Sequence, residues 1–289
     1  MTAYPYKNKR LESLVVRTYV VTGAASGIGL ATKEVLEQRG DRVIGVDLAG
    51  SDIDADLSTA QGREALPELI RQAAGDHVDG VLAVAGVSAV SSLAVRVNFF
   101  GARETLELLR PLLAASDAPR AAVVASFATL HENDPELVAA LRAGDEERAS
   151  EIADRLAASG GGHLIYASTK RAIAEWMREA AISPEWAGAG IPLNGVAPGV
   201  IVTPMTAPYL ATEEGRASLL AGVPIRLHGP AEPVDVARLL AWLTGEENTH
   251  ITGQLVFIDG GAEAVARGPE VFGGATTTRV ELTGAQGRF

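Results

Sequence analysis

Short β-branched apolar runs alternate along this chain with longer segments in which apolar residues recur every three or four positions. The runs fall at residues 18–22, 42–47, 80–84, 121–125, 192–196 and 254–258. Each is apolar on successive positions, which predicts strands covered on both faces and hence a parallel sheet. The periodic segments predict helices over 27–39, 62–74, 93–113, 163–181 and 235–243, with Gly40 closing the first and a short extended segment at 54–57 preceding the second. Strands alternating with helices in this way define an α/β fold with a doubly wound parallel sheet.

The alternation breaks between Phe127 and Tyr166. Residues 134–143 and 145–158 read as two helical pieces around Gly144, with acids at their amino ends and Leu137, Leu141, Ile152 and Leu156 at helical spacing. They make residues 133–158 a helical insertion ahead of the helix that starts near His163. Residues 200–230 are longer and richer in proline, as expected of a substrate loop over the carboxyl ends of the strands. Residues 18–261 carry the pattern as one unit, leaving an amino-terminal extension at 1–17 and a tail at 262–289 whose order is expected to depend on a subunit contact.

Composition narrows the function. The 289 residues suit one sizeable domain, and 25 basic against 36 acidic side chains give a net charge of -11. That field opposes nucleic acid and anionic membranes, and no basic tract counters it. With no cysteine there is neither a disulfide scaffold nor a thiol nucleophile. No apolar run is long enough to span a bilayer, and no secretory core follows Lys7, Lys9 and Arg10, so the sequence predicts a soluble, cytoplasmic protein. The five histidines, His77, His131, His163, His228 and His250, are scattered, and no metal is assigned.

Candidate chemistry begins at residues 19–36, YVVTGAASGIGLATKEVL, where an apolar run feeds through a glycine-rich turn into a helix. Gly23 permits the tight reversal, Gly27 offers no Cβ to a pyrophosphate, and Gly29 lets the helix pack on its strand while its first amides face the anion. Asp47 ends the next run 18 residues after Gly29, where a carboxylate can accept from both adenosine ribose hydroxyls. Tyr166 and Lys170, four apart, share a helix face. A phenol with a pKa near 10 exchanges protons more readily beside an ammonium that favours phenolate. Spacing alone leaves open an exposed or half-packed pair; the preceding nucleotide-binding pattern favours an acid/base pair. Met205, Tyr209, Leu210, Leu219, Leu220, Ile225 and Leu227 either line an apolar mouth or pack as a lid on themselves.

TGAASGIG at 22–29, Asn98 in VNFFG, YASTK at 166–170, NGVAPG at 194–199, VTPM at 202–205 and IDGG at 258–261 occur in one order. Across residues 18–261 the chain thereby resembles the short-chain dehydrogenase/reductase family. DLSTAQGR at 56–63, NDPELVAALRAGDEERA at 133–149 and GGHLIYASTK at 161–170 are similar to the branch that carries an insertion and acts on hydroxysteroids and other carbonyl compounds. The resemblance implies a Rossmann fold and an NAD-dependent enzyme interconverting a hydrophobic secondary alcohol and ketone. A dehydrogenase of a smaller cyclic or sugar-like alcohol, or a weakly catalytic nucleotide-binding protein, are the alternatives. It also implies a homodimer, because the insertion occupies a flank that other members use in tetramers.

Residue by residue, the resemblance implies that Tyr166 exchanges the proton, that Lys170 binds the nicotinamide ribose and lowers the Tyr166 pKa, and that Asn98 holds the backbone and water arrangement behind Lys170. It places Gly23, Ser26, Gly27, Ile28 and Gly29 along the pyrophosphate, and Asp47 on the ribose with a preference for NAD over NADP. Asp56 and Leu57 fall at the adenine, Ala85 and Gly86 beside the adenosine ribose, and Pro198, Gly199, Val200 and Thr203 at the nicotinamide, with Val200 packed on its ring. The catalytic serine departs from the pattern. Two adjacent serines are expected after the run at 121–125 and the second is catalytic, whereas Ser126 is followed here by Phe127. Either Ser126 takes the role through an altered loop, or Thr129 supplies the hydroxyl, or the site lacks that donor; Ser126 is the favoured candidate.

Overall fold

The computed structural model describes residues 16–272. Seven strands, β1 (Thr18–Thr22), β2 (Arg42–Asp47), β3 (Ile53–Asp54), β4 (Gly80–Ala83), β5 (Arg120–Val124), β6 (Leu193–Pro198) and β7 (Leu255–Ile258), pair in the order β3-β2-β1-β4-β5-β6-β7. Every pairing is parallel. β4 and β5 are buried along their whole length, which is why, Arg120 apart, their sequences are apolar without alternation.

Two helical layers cover the sheet. On one face lie α1 (Gly27–Gln38) and α10 (Pro233–Leu243); on the other lie α2 (Ala60–Ala74), α4 (Ala102–Leu113) and α7 (His163–Ala180). The helix expected over 93–113 is compound: α3 (Ser92–Val95) passes through a π-helical turn at Arg96–Gly101 before α4 begins. Leu106, Leu109 and Leu113 on α4 are fully buried, each contributing about 1.5–3 kcal/mol of apolar burial as an upper bound.

The insertion forms α5 (Pro135–Ala143) and α6 (Glu146–Ala158), one residue inside each expected start, because Asp134 and Asp145 are the amino-terminal caps. The Asp134 carboxylate accepts from the Leu137 amide at 2.7 Å, and its own amide donates to Ser168 Oγ at 2.9 Å, tying the insertion to α7. Short helices α8 (Ala207–Leu210) and α9 (Glu213–Gly222) occupy the loop after β6.

The expected tail is corrected in its first part. Residues Ala262–Arg267 form α11 within the single chain, with Asp259 accepting from the Gly261 and Glu263 amides at its start. The expectations for residues 1–15 and 273–289 lie outside the described residues. No described helix is long and apolar enough to cross a membrane.

Candidate active site

One cleft of about 580 Å³ runs over the carboxyl ends of the strands, across the point between β1 and β4 where the strand order reverses. Thr22 Oγ1 pins that point by accepting from the amides of Val84 and Ala85 at 3.0 and 3.1 Å. The turn after β1 is built on close approach. A Cβ at Gly29 would lie 2.0 Å from the Gly23 carbonyl oxygen, and one at Gly23, which adopts φ +71°, would lie 2.9 Å from Ala85 Cα. Ser26, at the start of α1, makes no side-chain capping bond, and no acid occupies the first turn. The amino end of this 12-residue helix therefore presents unneutralised amides to the cleft, as an anionic diphosphate requires.

Gly23, Ser26, Gly27, Ile28, Gly29, Asp47, Asp56, Leu57, Ala85, Gly86, Tyr166, Lys170, Pro198, Gly199 and Thr203 all line this one cleft. Asp47 is oriented by the Ala25 amide on Oδ2 and the Leu48 amide on Oδ1, at 2.9 and 2.7 Å. Asp56 Oδ1 accepts from the Ser58 hydroxyl and amide at 2.6 and 2.9 Å, and these bonds hold its carboxyl below the usual range. The chain's own residues thus fit a dinucleotide whose adenosine lies beyond β2 and β3. Val200 does not join them. Its side chain is buried toward a separate cavity with Ile225 and Leu227, and the next residue, Ile201, supplies the apolar wall. Of the loop residues expected at the mouth, Met205 lines the cleft, whereas Tyr209 is exposed. Leu93 and Val97, one helical turn apart, form a wall that spacing could have revealed.

Beyond β5 and β6 lie the titratable groups. Lys170 is buried and donates to the Val124 carbonyl at 3.0 Å, with Nζ 5.8 Å from the Tyr166 ring centroid. Burial lowers its pKa to about 8. Burial also raises the Tyr166 phenol, and the neighbouring Ser126 hydroxyl partly offsets the rise. The expected lowering of Tyr166 by Lys170 is therefore corrected for the protein alone: desolvation dominates both groups. Asn98 is fully buried behind the cleft. Its Oδ1 accepts from the Val87 amide at 2.8 Å, and its Nδ2 donates to Val87 O at 3.0 Å and to Thr169 Oγ1 at 3.3 Å. A Cβ at Gly86 would come within 3.3 Å of Asn98 Oδ1 and 3.4 Å of Lys170 Nζ, so the three are packed as a unit.

At the departure from the family pattern, β5 ends at Val124 and a 3₁₀ turn starts at Phe127. Ser126, in extended conformation between them, caps that turn by accepting from the Ala128 amide at 3.1 Å and lines the cleft with Tyr166 and Lys170. Phe127 turns inward and meets the His131 ring edge-on, with centroids 5.4 Å apart. Thr129 is buried outside the cleft lining, and its Oγ1 has no hydrogen-bond partner. Among the described residues, Asp47 and Asp56 are the only carboxylates in the lining and Lys170 the only cation.

Comparisons with known proteins point the same way. A family model described as enoyl-(acyl carrier protein) reductase matches residues 150–263. The chain is 35% identical over 254 residues to a 3-alpha-hydroxysteroid dehydrogenase/carbonyl reductase of Comamonas testosteroni, covering 86% of this chain and 97% of that protein. It is 32% identical over 279 residues to a cis-4-hydroxycyclohexanecarboxylate dehydrogenase of Sinomonas cyclohexanicum, covering 88% and 99%. The crystal structure of the 3-alpha-hydroxysteroid dehydrogenase from Pseudomonas sp. B-0831 complexed with NADH is similar with a TM-score of 0.79 at 38% identity, covering 86% of this chain and 98% of that one.

Proposed function

Since the chain belongs to the short-chain dehydrogenase/reductase family, we propose that its cleft interconverts a hydrophobic secondary alcohol and the corresponding ketone, with a hydroxysteroid or another cyclic carbonyl compound as substrate. It is an NAD(H)-dependent oxidoreductase. The observation that carries the reading is the convergence of Ser126, Tyr166 and Lys170 on the cleft that also holds Asp47 and the uncapped start of α1.

Bound NAD(H) supplies the hydride acceptor or donor. Tyr166 passes a proton to the ketone oxygen during reduction and takes it back from the alcohol during oxidation. Ser126 donates to the same oxygen, Lys170 holds the cofactor ribose, and Asn98 fixes the Val87 backbone and Thr169 beside Lys170. The substrate end offers Leu93, Val97, Ile201 and Met205 and, among the described residues and apart from Lys170, no cation to hold an acidic carrier or phosphate, which favours a neutral apolar ligand. A steady-state screen with NADH against steroid ketones, cyclic ketones, sugars and acyl thioesters tests this. The cyclic and steroid ketones are expected to turn over; activity confined to sugars or thioesters would overturn the assignment.

Asp47 sets the cofactor preference, since a 2′-phosphate would face its carboxylate without a compensating arginine in the lining. Asp47→Ala is expected to weaken NADH binding by roughly 10- to 100-fold and to narrow the gap to NADPH. Titration of protein fluorescence measures both; equal affinities in the parent would contradict the role. Ser126→Ala is expected to reduce turnover by about 10- to 100-fold with cofactor affinity kept, because Tyr166 still donates to the oxygen. Thr129→Ala should stay within about twofold of the parent. A larger loss in the threonine variant would reverse the assignment.

The packing of the insertion on α7 supports a homodimer that uses another face in place of assembly through that helix. Light scattering is expected to give twice the chain mass; a tetramer would refute it.

A further inference from the structure

We propose that Arg63 is a positioning residue for the adenine end of the cleft and that the helical insertion acts on cofactor affinity through it. Arg63 stands in the first turns of α2 and is 1% exposed, among the largest fully buried side chains described. A guanidinium cannot be left dry without partners, and each of its nitrogens has one. Nε donates to Glu104 Oε2 on α4 at 2.6 Å and Nη2 to Glu146 Oε2 on α6 at 2.5 Å. Nη1 donates to the Leu57 carbonyl at 3.1 Å, so one planar group joins the sheet-covering layer, the insertion and the segment where Asp56, Leu57 and Ser58 line the cleft.

Two close approaches show how firmly that segment is held. A Cβ at Gly62 would lie 2.1 Å from the Asp56 carbonyl oxygen, and one at Gly101 would lie 3.2 Å from the Leu57 carbonyl oxygen. The backbone of Asp56 and Leu57 is therefore clamped between the start of α2 and the start of α4, with Arg63 supplying the polar contact that directs the Leu57 peptide. Glu146 lies in the first turn of α6, inside the insertion, and without it Arg63 would keep a single carboxylate. The insertion is thereby wired to the adenine site, about one side chain away, while the hydride-transfer end beyond β5 and β6 is untouched by the cluster.

This inference rests on Asp47, Asp56 and Leu57 holding the adenosine. Its test measures binding of NADH and of 5′-AMP to the whole protein by fluorescence and calorimetry. Glu146→Gln is expected to raise both dissociation constants by about 3- to 10-fold, as a charge-assisted bond becomes a neutral one, with kcat at saturating NADH within twofold of the parent. Ile152→Val, on the same helix, fully buried and not among the hydrogen-bond partners of Arg63, is expected to lower the melting temperature without moving either constant. Unchanged constants in Glu146→Gln, or an equal rise in Ile152→Val, would overturn the proposal. If Glu146→Gln does not fold, Glu104→Gln removes the other carboxylate and carries the same expectation. A parent that binds neither probe would instead refute the adenosine assignment itself.

Discussion

Tyr166→Phe is expected to lower turnover by about 10²- to 10⁴-fold while NADH binding stays within a few-fold of the parent. The ring that lines the cleft is kept, so packing against the cofactor end changes little; only the hydroxyl that moves the proton is lost. Burial raises the phenol above its ordinary value, so in the protein alone the group is a proton donor across neutral pH. Ketone reduction, which consumes that proton, should hold at neutral pH and fall as the phenol ionises. Alcohol oxidation, which needs the phenolate, should rise with pH over the same range. Near-parent turnover by the phenylalanine variant, or identical pH profiles in the two directions, would remove Tyr166 from the role.

Lys170→Met is expected to abolish most turnover and, in the cofactor-free protein, to raise stability. Burial lowers the pKa of the folded lysine to about 8, against an ordinary value of 10.5. Between these values the unfolded chain binds more protons, so the lysine's contribution to stability improves as pH rises from about 8 to 10.5. Below pH 8 the full cost of burying the ammonium is present, on the order of 3 kcal/mol. Methionine retains the apolar stem and removes the charge, but it leaves the Val124 carbonyl without its donor, which costs about 1–3 kcal/mol, so a net gain of up to about 2 kcal/mol at pH 7 is expected. Thermal unfolding of parent and variant across pH 6–10 checks it. The gap between them should close as pH rises; a gap that widens would show that the lysine is not desolvated in this way. Loss of cofactor affinity, measured separately, distinguishes a ribose-holding role from a purely electrostatic one.

Most of the framework was legible because fully buried strands cannot hide their composition. β1 and β2 coincide with the expected runs, and α7 ends one residue before its expected limit. The caps Asp134 and Asp145 were visible as acids but were counted inside the helices they start, since a cap carries helical neighbours without helical dihedrals. The π turn at Arg96–Gly101 was invisible because, Asn98 apart, VNFFG carries no polar residue whose spacing could show a shift of phase. α11 was missed because AEAVAR carries too little apolar bulk to stand out, although Asp259 ahead of it was a readable start signal. Within the cleft, the glycine turn and the Tyr166–Lys170 face follow from local spacing. The Val200-to-Ile201 exchange does not, because the chain leaves β6 at Pro198 and the face each later side chain takes depends on where the loop docks. Arg63 was likewise out of reach: its partners stand 41 and 83 residues away.

The π turn makes Asn98's position a matter of counting. A π turn accommodates one more residue than an α turn, and a single α-helical step rotates the chain by about 100°. Deleting Val97 would let α3 run into α4 as an ordinary helix while every side chain named here remained present except one. Leu93 and the rest of α3 would then turn by about 100° relative to α4, off the cleft wall and off α6, and Asn98, inside the turn, would shift by part of that rotation. Chain length is thus itself a functional parameter at this point. Substitutions scanned across Arg96–Gly101 sample side chains only, whereas a one-residue deletion reads the register that aligns the cleft wall with the amide behind Lys170.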